Sequence, residues 1–116
     1  GIHGEPGVRR GPLQTANDVV DEIIDAILTE MGAASGDEVA VLVNSLGSTP
    51  LMELYILNAR LSERLTQAGL VVRTALVGPY CTSLEMAGAS ITVMHLDDEL
   101  NRLIDHPCDC AMFRVG

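Results

Sequence analysis

The chain has 116 residues, 47% hydrophobic and 20% charged, enough for one compact domain of the soluble globular class with a single core. Seven arginines and no lysine face sixteen acids for a formal net charge of −9, and Tyr55, Tyr80 and Phe113 are the only aromatic residues, so neither a basic patch nor a base-stacking platform exists and nucleic acid is excluded as a partner. No apolar run of about 18 residues marks a membrane span and no signal peptide is evident, so a cytoplasmic chain with no membrane partner is expected.

The opening segment, Gly1-Ile2-His3-Gly4-Glu5-Pro6-Gly7, places one imidazole among residues that cannot shield it. Three glycines without side chains and a proline of fixed φ suit close approach by a small ligand, so this reads as a substrate loop. His3 is open to service as nucleophile, general base, metal ligand or plain loop residue, since neutral imidazole is common near pH 7. Residues two apart in an extended segment share a side, which lets Glu5 accept a hydrogen bond from His3 and orient its ring. A chain that starts without methionine, in the middle of such a loop, is expected to be a piece of a longer protein with part of the site elsewhere.

Downstream, Thr15 stands three residues before Asp18 in a loose capping pattern, and Val20, Ile23, Ile24, Ile27, Leu28 and Met31 recur at helical spacing, which predicts a helix over 16–31 closed by Gly32. Residues 38–44 read as a strand, apolar almost throughout and therefore central. A small-residue loop follows, with Thr49 as N-cap and Pro50 at the first helical position of a second helix. Its stripe is Leu51, Leu54, Leu57, Leu61 and Leu65, widened by Tyr55 and Ile56, and Gly69 ends it. A second strand over 70–77 completes a βαβ unit with parallel strands and a right-handed crossover. A loop over 78–88, a third strand over 90–96 and a short helix capped by Asp97 or Asp98 before Pro107 follow, and 108–116 has no strong pattern. The fold class expected is α/β or α+β in two layers, a mixed sheet carrying helices.

Beyond His3, the connection 44–50 suits either an anion at helix amides or a purely structural turn, and structure is favoured. Thr82, Ser83 and Glu85 are read as structural in the same way, and Met86 as core. Cys108-x-Cys110 near His106 suggests zinc, but structural zinc takes four ligands and wider cysteine spacing, so no metal site is assigned. Cys81, Cys108 and Cys110 are an odd set and a poor disulfide framework, so reduced thiols are expected.

Three segments in order carry a resemblance: the His3 loop; Val43-Asn44-Ser45-Leu46-Gly47-Ser48-Thr49-Pro50-Leu51-Met52-Glu53-Leu54-Tyr55; and Gly78-Pro79-Tyr80-Cys81-Thr82-Ser83-Leu84-Glu85-Met86-Ala87-Gly88. Together with Ser90-Ile91-Thr92 and Asp97-Asp98-Glu99 they resemble the substrate-binding subunit of dihydroxyacetone kinases. The resemblance implies that residues 1–116 form one domain, the C-terminal part of such a subunit, without its N-terminal domain. It implies that His3 is the catalytic and substrate-binding residue, its ring nitrogen adding to the ketone carbonyl of dihydroxyacetone to give a hemiaminal. It further implies antiparallel strands in the sheet, a homodimer, and a phosphoryl donor, ATP or a phosphorylated nucleotide, on a nucleotide-binding partner subunit or domain. With no lysine the chain cannot supply a Gly-x-x-x-x-Gly-Lys phosphate loop, so no cofactor is expected on this piece. The tail departs from the resembled pattern, and Ala89 stands where a bulky residue is common. Two other readings are kept: a non-catalytic dimerisation or docking module of the same subunit, and a small metal-binding regulator built on His106, Cys108 and Cys110.

Overall fold

The computed structural model describes residues 2–116. Helix α1 (Ala16–Met31) starts as its sequence requires: Thr15 Oγ1 accepts the Asp18 N–H at 3.2 Å and satisfies an amide that no helical carbonyl reaches. It stops at Gly32, whose φ of +60° a residue without Cβ adopts freely. Then follow β1 (Glu38–Ser45), α2 (Leu51–Gln67), β2 (Val71–Gly78), β3 (Ala89–Leu96), α3 (Asp98–Ile104), β4 (Cys108–Cys110) and β5 (Phe113–Val115).

The main sheet has the order β2-β1-β3, with β1 parallel to β2 and antiparallel to β3, so the mixed α+β sheet expected from sequence is present and β1 is its centre. Val39, Val41 and Val43 alternate along β1 to one face, where they meet Val20 and Ile24 of α1 and Leu54, Leu61 and Leu65 of α2 in one buried cluster. Each such side chain contributes about 1.5–3 kcal/mol when fully buried, and this layer is the core of the molecule. On the opposite face Leu42, Leu76, Met94 and Ile104 of α3 surround an apolar cavity of about 190 Å³. Helix α3 is capped by Asp97, whose Oδ1 accepts the Leu100 N–H at 2.8 Å, and is tied to β1 by Asn101 Nδ2 donating to Glu38 Oε2 at 2.5 Å.

The two long helices are also joined by charge. Arg60 grips Asp21 with two bonds, Nε to Oδ1 at 2.8 Å and Nη2 to Oδ2 at 2.7 Å, and Arg64 Nη1 reaches Asp21 Oδ1 at 2.8 Å while pairing with Asp25 through its other nitrogen. These two guanidinium groups hold the Asp21 carboxyl at about 2, below its ordinary 3.8.

Three expectations are corrected. Pro50, not Thr49, occupies the N-cap, with an extended ψ of 156°, and α2 begins at Leu51; the Thr49 hydroxyl is committed elsewhere, donating to the Gly88 carbonyl at 2.8 Å. Leu51, Tyr55 and Ile56 lie outside the buried stripe, at 48%, 55% and 51% exposed, because α2 meets the core through Leu54, Leu61 and Leu65, with Leu57 partly buried against it. The tail is ordered as a hairpin, β4 against β5, with Phe113 edge-on to Tyr80 at 6.2 Å between ring centroids.

Candidate functional site

Two of the three segments that carry the family resemblance fold against each other. Loop 45–50 leaves β1 and loop 79–88 leaves β2, neighbouring parallel strands, so both emerge at the same end of the sheet. Asn44, the next-to-last residue of β1, is 1% exposed and organises the junction. Its Oδ1 accepts the N–H groups of Tyr80 at 2.9 Å and Cys81 at 2.8 Å, and its Nδ2 donates to the Cys81 carbonyl at 2.7 Å and to Ser90 Oγ at 3.2 Å. A side-chain amide is the one group of this size with two donors and a two-lone-pair acceptor in a plane, which is what the turning backbone at 80–81 needs.

The clasp continues through the backbone. The Leu46 N–H donates to the Gly88 carbonyl at 3.0 Å, the Ser83 N–H to the Leu46 carbonyl at 2.9 Å and the Ser48 N–H to the Met86 carbonyl at 3.1 Å. Gly47, with φ of +129°, lies so close to the opposite loop that a Cβ there would stand 2.9 Å from the Ser83 carbonyl oxygen. Ser45 Oγ closes the near loop, donating to the Thr49 carbonyl at 2.8 Å and accepting the Gly47 N–H at 3.1 Å. Asn44, Ser48 and Thr49 are therefore occupied in holding two loops together, which agrees with a structural role for 44–50. Ser83 and Glu85 take part through their backbones, Ser48 Oγ donating to the Glu85 carbonyl at 2.5 Å.

The third segment, with His3, is exposed along its whole described length. The bond foreseen between Glu5 and the imidazole ring is made instead to the backbone: the His3 N–H donates to Glu5 Oε2 at 2.9 Å. The Glu5 carboxyl is held below its usual range by its own N–H and that of His3. Arg9 fastens this segment to α1, its Nε donating to Glu22 Oε1 at 2.6 Å and a second nitrogen pairing with Glu22 Oε2. Among the described residues no hydrogen bond or ion pair joins residues 2–7 to the clasp.

Beside the clasp lies a cavity of about 380 Å³ lined by Leu51, Val77, Gly78, Pro79, Tyr80, Met112 and Phe113, in which the Tyr80 hydroxyl is the one titratable side chain. Among the described residues no three His, Cys, Asp or Glu side chains converge as a metal site, and His106 Nδ1 sits 2.9 Å from the Pro107 carbonyl oxygen. No helix is long and apolar enough to cross a membrane among the described residues.

Comparison with known proteins places the chain. The Dak1 domain model matches residues 1–112. The chain is 47% identical over 115 residues to the dihydroxyacetone-binding subunit of the PTS-dependent dihydroxyacetone kinase 2 of Listeria innocua, covering 99% of this chain and 35% of that protein. It is 42% identical over 140 aligned residues to the dihydroxyacetone-binding subunit of the PEP-dependent dihydroxyacetone kinase of Escherichia coli, covering all of this chain and 39% of that protein. A solved chain concerned with the regulation of the dha operon of Lactococcus lactis superposes with a TM-score of 0.84 at 33% identity, over 92% of this chain and 34% of that one. The chain thus spans little more than a third of the length of the curated relatives it matches. With a family model matched from the His3 loop through the clasp to the hairpin, and a sheet and helices that superpose on a solved relative, the chain belongs to the Dak1 domain family.

Proposed function

We propose that this chain is the substrate-capturing part of a dihydroxyacetone kinase, with His3 as the residue that binds the ketone. The observation that carries the reading is the 47% identity to a dihydroxyacetone-binding subunit over almost the whole chain, with His3 standing in the glycine-rich motif of that family. A ring nitrogen of neutral His3 adds to the carbonyl carbon; the carbon–nitrogen bond forms as the carbonyl π bond opens, the oxygen takes up a proton, and the ring gives one up. A hemiaminal results. Glycerol has no carbonyl and is not captured, so discrimination comes from bond formation rather than from a fitted pocket. The exposure of His3 agrees with a group that a small ketone must reach.

Residues 1–116 form in this reading one domain, the C-terminal part of the subunit, and an N-terminal domain supplies the acid/base groups and the rest of the pocket. The donor, ATP or a phosphorylated nucleotide, sits on a partner subunit or domain, and the complete subunit works as a cytoplasmic homodimer. Fixing the carbonyl end of the substrate holds its terminal hydroxyl for in-line attack on the donor phosphate, where positioning supplies most of the rate. The test is intact-mass analysis after incubation with dihydroxyacetone under mild trapping. The expected outcome is one adduct on the wild-type chain and none on His3→Ala; an equal adduct on both would remove His3 from the role.

The likeness to a solved chain connected with operon regulation favours one second reading, a non-catalytic module that serves in dimer contact or docking. Binding to a nucleotide-holding partner without any ketone adduct on the wild-type chain would select it.

A further inference from the structure

We propose that Cys108 and Cys110 form a redox-responsive dithiol, and that its oxidation to a disulfide remodels the β4–β5 hairpin and releases Phe113 from Tyr80. Both cysteines are free and exposed, and they stand two residues apart on one short strand. The hairpin register sets Cys108 opposite Val115 and Cys110 opposite Phe113, so both thiols lie on the face that carries these two half-buried side chains, while Asp109 and Arg114 take the other face. The hairpin lies beside β2: Cys108, Phe113, Arg114 and Val115 line a cavity of about 440 Å³ together with Thr74 and Leu76.

The spacing makes the pair a switch rather than a structural bridge. Two residues of extended strand separate Cα atoms, and the parallel Cβ atoms on one face, by about 6.6 Å, whereas a disulfide commonly holds its Cα atoms about 5.5–6 Å and its Cβ atoms about 3.5–4.5 Å apart. Closing the bond therefore draws the strand together and breaks the pairing of Cys108 with Val115 or of Cys110 with Phe113. Strained, exposed disulfides are the readily reduced ones, so the change is reversible.

The oxidant is a low-molecular-weight disulfide such as glutathione disulfide. The thiolate of one cysteine attacks it, forming a mixed disulfide and expelling one thiolate; the second cysteine attacks the protein sulfur of that bond and expels the other. Two protein thiols lose two electrons and two protons, and one small disulfide becomes two small thiols. The consequence is carried by Phe113, which packs edge-on against Tyr80 and shares with it and Met112 the cavity beside the clasp.

The test uses the full chain in a Cys81→Ser background. That thiol is absent from the clasp, since Asn44 bonds only the backbone of residue 81. After incubation with glutathione disulfide, the expected results are a mass loss of about 2 Da from the two departing hydrogens, a peptide map joining 108 to 110, and changed tyrosine emission reversed by dithiothreitol, all absent in Cys108→Ser and Cys110→Ser. A stable glutathione adduct on one cysteine, or a disulfide between two copies of the chain, overturns the proposal. An internal disulfide with unaltered tyrosine emission overturns its coupling to Tyr80.

Discussion

Replacing Asn44 by alanine should unlock the clasp, and its cost follows from the four hydrogen bonds the amide makes. At a net value of about 0.5–1.5 kcal/mol each the bonds sum to about 2–6 kcal/mol, and because residues 80 and 81 are exposed, water recovers part of this, leaving about 2–4 kcal/mol. A domain of this size has a total stability of about 6–17 kcal/mol, and its unfolding entropy converts each kcal/mol into about 4 °C, so the melting temperature should fall by about 8–16 °C. Asn44→Asp is the sharper comparison: it keeps an acceptor for the Tyr80 and Cys81 amides but sets a second carboxylate oxygen against the Cys81 carbonyl, where Nδ2 now donates at 2.7 Å. It should be no more stable than the alanine variant. Urea unfolding followed by circular dichroism measures both, with the slope of free energy against urea expected to stay constant. An alanine variant within about 0.5 kcal/mol of wild type would show that the amide does not hold these loops.

Other consequences are as direct. Leu54→Ala should cost about 2–5 kcal/mol because Leu54 is fully buried between α2 and the sheet, whereas Tyr55→Ala, one residue on, should stay within about 0.5 kcal/mol; equal losses in urea unfolding would contradict the assigned helix face. Gly47→Ala should destabilise by about 1–3 kcal/mol through its positive φ and the approach of the Ser83 carbonyl, and a neutral or stabilised variant would refute that packing. Asp21 titrates lower in the folded chain than its ordinary 3.8, so the stability from its arginine contacts is complete above that value and is lost as pH falls toward about 2. Asp21→Asn should flatten this part of the acid unfolding profile, and profiles of unchanged shape would contradict the pairing.

The elements held by local pattern were legible in the sequence. The spacing of Val20, Ile24 and their neighbours, the Thr15 cap and the Gly32 stop mark α1 to the residue, and the apolar run at 39–43 marks the central strand. What escaped depends on partners far along the chain. Asn44 meets groups 36 to 46 residues away, so nothing beside it in sequence distinguishes it from any turn asparagine. Thr49 looks like an N-cap until Gly88 takes its hydroxyl. Tyr55 and Ile56 satisfy helical periodicity, yet periodicity does not say how wide a face the sheet covers. Strands of three residues, as in the hairpin, are too short for alternation to register. The motif around His3 was visible at once, but the choice of ring or amide by Glu5 turns on the local backbone path.

Dihydroxyacetone labelled with carbon-13 at its carbonyl gives the most direct measurement of covalent capture. Mixed with the wild-type chain, the labelled carbon should move from its carbonyl position to that of a saturated carbon bearing oxygen and nitrogen, and the new resonance should vanish with His3→Ala. A label that stays at its carbonyl position in the presence of the protein, or a new resonance that persists in the variant, would contradict the account.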